Sequence, residues 1–179
     1  KEGCPLDAAP MSSTTLTIAM GDALAVCLMK KRNFKKEDFA SFHPGGSLGK
    51  KLFVKVDDLL RKENLPVVSR ETKLKDAILV MSEGRLGSVI IEDENKKVIA
   101  LLSDGDLRRA LMNDNFSMDC KVEDIATKNP KRLKNKELLA SDALQIIEDY
   151  KIQLLIVTDE NDKLIGVLHI HDLIEAGIK

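Results

Sequence analysis

The chain has 179 residues, of which 44% are hydrophobic and 32% are charged, a balance typical of a globular protein. Aromatic residues make up only 3% and tryptophan is absent, so the core must be aliphatic, while the formal net charge of −1 argues against a general nucleic-acid-binding protein. No apolar run approaches the about 20 residues of a membrane-spanning helix and no signal peptide is recognisable, so we expect neither a membrane partner nor secretion.

The first fifty residues predict helices rather than a complete domain. Residues 12–15 (Ser-Ser-Thr-Thr) supply helix N-cap candidates, and apolar residues then recur at helical spacing until Asn33 can end the helix. Cys27 lies on this apolar stripe, where we expect a buried thiol. A short polar helix at 36–40 and a glycine-rich loop at 43–49 follow. One long helix cannot close a hydrophobic core alone, so this segment must pack on missing chain, on a partner or on the following residues.

From residue 56 onward the sequence is a tandem duplication. Residues 56–59 (Val-Asp-Asp-Leu) recur 66 positions later as 122–125 (Val-Glu-Asp-Ile), and Asp-Glu-Asn at 93–95 recurs identically at 159–161. The register holds without a gap into the last predicted helix. Chance does not produce a match of this length, so we interpret the chain as two copies of a unit of about sixty residues.

Each copy predicts the same order of elements, β-α-β-β-α. An opening segment at 56–60 or 122–126 leads into an extended stretch, and a helix with one apolar stripe follows. Two β-branched runs then form a hairpin around the Asp-Glu-Asn turn. Asp106 or Asp172 opens the final helix of its copy. The predicted fold class is α/β of the α+β type, with two such units preceded by a helical segment.

The junction between the second hairpin strand and the last helix carries the residues best suited to ligand binding. In the first copy a hydroxyl side chain, Ser103, stands three residues before Asp106. A carboxylate there can accept two hydrogen bonds from a ribose diol, while the adjacent helix N-terminus favours phosphate oxygens. The alternative is that Asp106 and Asp172 are helix N-caps and nothing more, since aspartate is a preferred cap. Spacing alone leaves both interpretations open.

The second copy carries two histidines beside its aspartate, His169 and His171. In an extended chain both imidazoles point to the same side, so metal ligation, hydrogen bonding beside a ligand and a structural role all remain open. Metal ligation is the weakest of the three, because no cysteine or third histidine is near in sequence. An ordinary pKa of about 6.5 would make ligand affinity at these residues depend on pH.

Basic residues favour the first copy as the side that binds a polyanionic ligand. They are Arg85, Arg108 and Arg109, where the second copy has Lys151, Ile174 and Glu175. The alternative for Arg108 and Arg109 is a solvated helix face.

The duplicated pattern with its Ser-x-x-Asp junction resembles a pair of CBS domains over residues 56–179. The resemblance implies a two-fold pseudosymmetric disk of two sheets with clefts between them, in which family members commonly bind adenosine nucleotides. Carried over by position, Ser103 and Asp106 match the family's ribose-contacting residues, and Asp172 matches the second aspartate. His169 stands where Ser or Thr is usual, which argues against a simple adenine nucleotide at the second site.

Three N-terminal motifs add a narrower resemblance: Glu-Gly-Cys-Pro-Leu at 2–6, Met-Gly-Asp-Ala-Leu-Ala-Val at 20–26 and His-Pro-Gly-Gly-Ser-Leu-Gly at 43–49. They are similar to the closing part of the sugar isomerase (SIS) domain in D-arabinose 5-phosphate isomerases of the KpsF/GutQ type. These enzymes interconvert ribulose 5-phosphate and arabinose 5-phosphate through an enediol and supply Kdo synthesis for lipopolysaccharide or capsule. The resemblance implies that His43 and Glu2 are catalytic.

This second resemblance also sets the domain boundaries. We expect the end of an SIS domain at 1–50, a linker at 51–55 and CBS modules at 56–115 and 122–179. The family's phosphate loop and its other active-site residues are absent from this sequence. Without them ground-state and transition-state binding both fail, so we expect the chain alone to have no isomerase activity.

Two functions remain for the modules. As regulators they would bind a nucleotide, or a nucleotide sugar such as CMP-Kdo, and act on the parent isomerase by binding two of its states differently. As structural modules they would hold a homodimer or homotetramer together without a ligand. In either case we expect a cytoplasmic protein with no required cofactor and no bound metal, whose parent enzyme takes a sugar-phosphate substrate.

Overall fold

A computed structural model describes residues 1–6, 8–43, 45–114 and 116–178, without the side chains of residues 47 and 48. It divides into two compact units, Lys1–Gly49 and Lys50–Lys179. Pro44, predicted to lie in a glycine-rich loop, falls outside the described residues. The same holds for Asn115 and Lys179, at which the two predicted modules end.

The first unit is helical, with α1 (Ser12–Lys31) and α2 (Lys36–Phe42) as predicted. The N-terminus of α1 is not capped by residues 12–15, which lie inside the helix. The Glu2 carboxylate caps it instead, because its Oε2 accepts hydrogen bonds from the N–H groups of Met11 and Ser12 at 2.8 Å each. No residue of α1 is buried, so the expectation of a buried Cys27 is wrong for the described residues.

By length and composition alone, α1 is long and apolar enough to cross a membrane, with a mean hydropathy of 1.3 in its most apolar window. This corrects the expectation that no apolar run approaches such a length. The finding is weak evidence for a span, because core helices of soluble proteins pass the same test. Asp22 near the middle of the helix would also be costly inside a bilayer.

Two sheets form the centre of the second unit. The first contains β1 (Val67–Ser69), β2 (Ser88–Glu92), β3 (Val98–Ser103) and β4 (Thr127–Lys128), and the second contains β5 (Arg132–Leu133), β6 (Leu154–Thr158) and β7 (Leu164–His169). In both sheets a parallel pair is followed by an antiparallel pair. The register pairs Ser88 with Ser103 and, 66 positions later, Leu154 with His169. The predicted duplication and the α+β fold are therefore confirmed.

After α3 (Ser47–Phe53), three pairs of helices flank these sheets at equivalent positions in the two copies. They are α4 (Val56–Leu59) and α7 (Val122–Ile125), α5 (Leu74–Gly84) and α8 (Ala140–Tyr150), and α6 (Asp104–Leu111) and α9 (Ile170–Glu175). The apolar stripes of α5 and α8 are buried, as their spacing predicted. Both helices end at a residue in the left-handed conformation, Arg85 (φ 53°) and Lys151 (φ 51°).

The two copies exchange their opening segments. Val56 of α4 is buried in the core of the second copy, and Val122 of α7 is buried in the core of the first. The chain after α7 forms β4 and pairs with β3, while Arg61, after α4, pairs with Val167 of β7. The predicted modules at 56–115 and 122–179 are therefore interleaved, and each sheet is completed by the other copy's opening segment.

Residues 51–55, predicted to be a linker, are instead integrated into the second unit. Helix α3 continues to Phe53, and the Val54 carbonyl accepts a hydrogen bond from the Ala140 N–H at 2.8 Å. Lys55 then pairs with Leu139 in an isolated bridge. This backbone pairing leads the chain into α4, whose Val56 is buried beside α8 in the core of the second copy.

Three clusters of buried side chains fill the second unit. One lies in each copy, and the third lies between the two sheets. The buried members of this shared cluster are Leu86, Ile90, Val98, Leu154, Ile156 and Val167. Because it draws on both copies, separating them would expose it to water. Hydrophobic residues buried in the described chain are aliphatic or Met, as the composition predicted.

Candidate functional site

A cavity of about 560 Å³ lies between the two copies, where β3 ends and α6 begins. That volume is within the range of small-molecule sites, roughly 300–1,000 Å³. It is lined from the first copy by Gly87, Ser88, Leu101, Ser103, Asp104, Gly105, Asp106, Arg108 and Arg109, and from the second by Thr127, Pro130, Lys131, Lys151, Ile152, Gln153 and Leu154. The cavity therefore contains three of the predicted ligand-binding residues and depends on both copies.

Ser103 and Asp106 form a capping box at the start of α6. Ser103 is the N-cap, and its N–H and Oγ both donate to Asp106 Oδ2, at 2.9 and 2.6 Å. Asp106 is the third helical residue, so the prediction that it opens the helix as N-cap is corrected by three positions. The capping box leaves Asp106 at the cavity wall rather than on the outside of the helix.

The other oxygen of Asp106, Oδ1, is held by residues that do not belong to the capping box. Thr127 Oγ1 donates to it at 2.8 Å, and Arg109 Nη2 forms a short ion pair with it. Burial leaves Asp106 6% exposed and would by itself raise its pKa. The hydrogen bonds from Ser103, Thr127 and Arg109 outweigh burial and hold the pKa of Asp106 below its ordinary value. A carboxylate therefore stands in the cavity wall at neutral pH.

Four cationic side chains line the same cavity: Arg108, Arg109, Lys131 and Lys151. Lys131 Nζ donates to the Tyr150 hydroxyl at 2.8 Å and lies 4.0 Å from the centre of its ring. With only Asp104 and Asp106 as acidic lining residues, the cavity carries an excess of positive charge. Such a site suits a ligand with anionic oxygens.

Arg85 was predicted to lie near this first cleft, but it is not among the residues that line the cavity. Lys151, 66 positions later, occupies that place. The reason is that the two copies face each other, so the C-terminus of α8 rather than that of α5 meets the start of α6. Arg85 is exposed at the end of α5.

The equivalent junction of the second copy, at the start of α9, has different partners. His169 takes the N-cap position, and its N–H donates to Asp172 Oδ2 at 3.3 Å. Arg61 Nη2 lies 3.2 Å from Asp172 Oδ1. Arg61 is 66 positions before Thr127, so an arginine stands here where the first copy has a threonine. Because α9 begins at Ile170, Asp172 is the third residue of its helix rather than its N-cap.

His169 and His171 do not have the extended geometry on which joint metal ligation depended, because β7 ends at His169 and His171 lies inside α9. Their ring centres are 5.1 Å apart, and His169 Nδ1 already accepts the His171 N–H at 3.2 Å. Burial lowers the pKa of His169, and the charge of the neighbouring His171 lowers it further to a smaller extent. Within the described ranges, no group of three or more His, Cys, Asp or Glu side chains is arranged to hold a metal ion.

The two predicted catalytic residues have separate partners in the first unit. Glu2 caps α1, and the hydrogen bonds from Ser13 and from the backbone of residues 11–13 lower its pKa to about 2. A carboxylate of that pKa is a weak general base near neutral pH. His43 is exposed at the C-terminus of α2, with its ring centre 4.8 Å from that of Phe39.

Sequence reasoning missed the contribution of Thr127, Lys131 and Lys151 to the cavity. Thr127 follows the opening segment of the second copy, and nothing in its own neighbourhood indicates that it reaches Asp106. The repeat offset was the available signal, since it pairs Thr127 with Arg61 and Lys151 with Arg85. Using that signal requires knowing that the opening segments are exchanged, which only the structure shows.

The fold and the cleft define a tandem module built from two interleaved repeats, with a cavity between them. The CBS domain family matches this chain at residues 56–113 and 122–179, which together exceed half of its length. The chain belongs to the CBS domain family.

Comparison with curated proteins extends the similarity beyond the CBS pair. An uncharacterized protein of Helicobacter pylori strain J99 is 53% identical over 179 residues, covering 100% of this chain and 54% of the relative. Arabinose 5-phosphate isomerase KdsD of Pseudomonas aeruginosa is 43% identical, covering 99% of this chain and 55% of the relative. The chain thus spans about half the length of the curated relatives it matches.

Comparison with solved structures supports the fold. The crystal structure of CBSX2 in complex with AMP has a TM-score of 0.61 and 25% sequence identity to this chain. The match covers 69% of this chain and 96% of CBSX2. The CBS pair is therefore similar in sequence to KdsD and in structure to a CBS protein that binds AMP.

Proposed function

We propose that this chain is the regulatory part of an arabinose 5-phosphate isomerase, and that it binds a nucleotide-like effector in the cavity beside Asp106. The observation that carries the proposal is a buried, ionised carboxylate in the wall of a cavity with four cationic side chains. The identity to KdsD along almost the whole chain supports the parent activity, and the similarity to AMP-bound CBSX2 supports the class of ligand.

A nucleotide matches this cavity, which offers polar groups for a ribose and cationic side chains for a phosphate. When Arg109 turns away from Asp106 Oδ1, that oxygen can accept a hydrogen bond from a ribose hydroxyl, while Ser103 offers a hydroxyl beside it. The phosphate would then meet Arg108, Arg109 or Lys131, which are long enough to adjust to it. The apolar side chains of Leu101, Ile152 and Leu154 in the lining suit the face of a base. The same arrangement accepts a nucleotide sugar such as CMP-Kdo, whose carboxylate adds a further anionic group.

Thermal-shift measurements with AMP, ADP, ATP, CMP and CMP-Kdo test the proposal. We expect at least one of them to raise the melting temperature of the chain, because a ligand that binds only the folded state stabilises it. Asp106→Asn should reduce that shift at the same ligand concentration, because it weakens binding. Asp76→Asn, the same change in the first turn of α5 and outside the cavity lining, serves as the matched control. No shift with any of the five ligands would contradict the proposal.

The isomerase activity itself is assigned to the parent enzyme. We expect no turnover of arabinose 5-phosphate by the 179-residue chain. Glu2 is committed to capping α1, and its pKa of about 2 leaves it a poor proton acceptor. Turnover above background in a coupled assay, abolished by His43→Ala, would contradict this expectation.

A second candidate function is assembly of an oligomer without a ligand. It is favoured by exposed apolar side chains at the end of α6 and just beyond it, Leu111, Met112 and Met118. Analytical ultracentrifugation of the wild-type chain and of a Leu111→Lys, Met112→Lys variant tests it. A wild-type dimer that the double substitution dissociates would support assembly through this surface, and a wild-type monomer would contradict it.

A further inference from the structure

We infer that the chain binds one nucleotide rather than two, because Arg61 closes the second of its two equivalent clefts. The inference rests on the proposed function and concerns how many sites perform it. Duplication supplies two aspartates at the same structural position, Asp106 and Asp172, so equal copies would give two equal sites. The contacts around the two carboxylates show that the copies are not equal.

The first difference is the residue that the exchanged opening segment places against each carboxylate. Thr127 Oγ1 donates to Asp106 Oδ1 at 2.8 Å, whereas Arg61 Nη2 lies 3.2 Å from Asp172 Oδ1. Threonine is short and leaves the space in front of the carboxylate open to a ligand. Arginine is long, neutralises the carboxylate and fills the region where the ribose would lie.

The backbone of Arg61 is held against β7, which places its side chain beside Asp172. Its N–H donates to the Val167 carbonyl at 2.9 Å, and its carbonyl accepts from the Val167 N–H at 3.0 Å. Arg109, which pairs with Asp106 in the first cleft, lies in the last turn of α6 with a side chain that is 72% exposed, whereas the side chain of Arg61 is 41% exposed. Arg109 is therefore the freer of the two to leave its carboxylate and turn towards a ligand phosphate.

The second difference is the hydroxyl beside the carboxylate. The first cleft has Ser103, and the second has His169, which is only 8% exposed. His169 Nδ1 is already engaged by the His171 N–H at 3.2 Å. The imidazole is larger than a hydroxymethyl group, so it reduces the room for a sugar ring in addition to removing a hydrogen-bonding group.

The third difference is charge. Of the cations that line the first cleft, three are replaced at the offset of 66 by groups that cannot attract a phosphate. Leu65 stands for Lys131, Ile174 for Arg108 and Glu175 for Arg109. Only Lys151 has a basic counterpart, Arg85. Sugar and phosphate recognition are thus weakened together in the second cleft.

Isothermal titration of the full chain with AMP, and in parallel with ATP, tests the inference. We expect one molecule bound per chain. Asp106→Asn should weaken binding by about 10- to 100-fold, since a charged hydrogen-bonding partner of the ligand is lost. Asp172→Asn is the matched control at the equivalent position, and it should change the dissociation constant by less than about twofold.

A gain of function provides the sharper arm of the experiment. A variant with Arg61→Thr, His169→Ser and Glu175→Arg carries the three side chains of the first cleft that are nearest to the ribose and phosphate in the second, and we expect it to bind two molecules per chain. The circular dichroism spectrum confirms that it folds, and if it does not fold the two aspartate variants decide the question.

The outcomes separate this inference from the proposed function. Two equal sites in the wild-type chain, loss of binding in Asp172→Asn, or a folded triple variant that still binds one molecule would each overturn the inference alone. If neither AMP nor ATP binds while CMP or CMP-Kdo does, the same stoichiometry applies to that ligand. No binding of any of these nucleotides would overturn the proposed function, and the inference with it.

Discussion

At the scale of single residues, the same side chains both hold the fold and form the cleft. Asp106 closes the capping box of α6 through Oδ2 and stands in the cavity wall with Oδ1. The sequence predicted Ser103 and Asp106 because their three-residue spacing has a physical meaning at a strand–helix junction. It did not predict Thr127, because the hydrogen bond to Asp106 crosses 21 residues with no local pattern.

Protonation of His169 should make the stability of the fold depend on pH. Burial lowers the pKa of His169 from 6.5, so the native state binds a proton less readily than the unfolded chain. The stability that this provides is present above pH 6.5 and is lost as the pH falls from there through the lower native pKa. Urea unfolding of the wild-type chain and of His169→Gln at about pH 7.5 and 5.5 measures the effect.

We expect the wild-type chain to lose more stability between these two pH values than His169→Gln does. His171→Gln is the control, because His171 is exposed and its charge lowers the pKa of His169 less than burial does. Equal losses in the wild-type chain and His169→Gln would contradict the assignment.

At the scale of elements, helices and strands followed from periodicity, but their partners did not. The apolar stripes of α5 and α8 and the β-branched runs around the Asp-Glu-Asn turns predicted those two helices and the hairpin strands close to their observed bounds. Helices α4 and α7 were predicted only as opening segments, and the predicted loop at 43–49 overlaps the start of α3. The exchange of opening segments could not be predicted from the sequence, because Val56 and Val122 are apolar residues that would suit the core of either copy. The pairing of residues 54 and 55 with residues 139 and 140 was not predicted either, because the sequence Lys-Leu-Phe-Val-Lys at 51–55 does not indicate its backbone partners.

Gly166 in β7 tests the close approach of the exchanged segment. A β-carbon there would lie 2.5 Å from the Arg61 carbonyl oxygen and 2.8 Å from Leu60 Cγ. We therefore expect Gly166→Ala to lower the free energy of unfolding by about 1–3 kcal/mol, measured by urea denaturation. Gly105→Ala is the control, because its added methyl group would meet Arg109 Nη1 at 3.4 Å and Ser103 Oγ at 3.5 Å, both flexible or ordinary contacts. An unchanged midpoint for Gly166→Ala would show that the segment is not held against β7.

At the scale of the second unit, the shared core cluster joins the two copies into one cooperative structure. Ile90 and Ile156 occupy equivalent positions on β2 and β6, and both are fully buried in it. The sequence predicted two similar modules, and the repeat offset correctly indicated their equivalence. It did not indicate that neither copy is complete without the opening segment of the other, because a repeat shows what is similar and not what is adjacent.

Truncation of Ile156 should therefore destabilise both copies together. We expect Ile156→Ala to cost about 2–5 kcal/mol of unfolding free energy in a single transition. Hydrogen exchange measures whether amides of β2 and β6 lose protection to the same extent. Loss of protection confined to the second sheet would show that the copies unfold separately.

The most direct test of the whole account is a crystal structure of the chain grown with AMP. The account predicts electron density for one nucleotide in the cavity, with ribose hydroxyls on Asp106, the phosphate beside Arg108 or Arg109, and the Arg61–Asp172 pair intact. A nucleotide seated on Asp172 after Arg61 has moved away, or an empty first cavity at saturating AMP and CMP-Kdo alike, would contradict it.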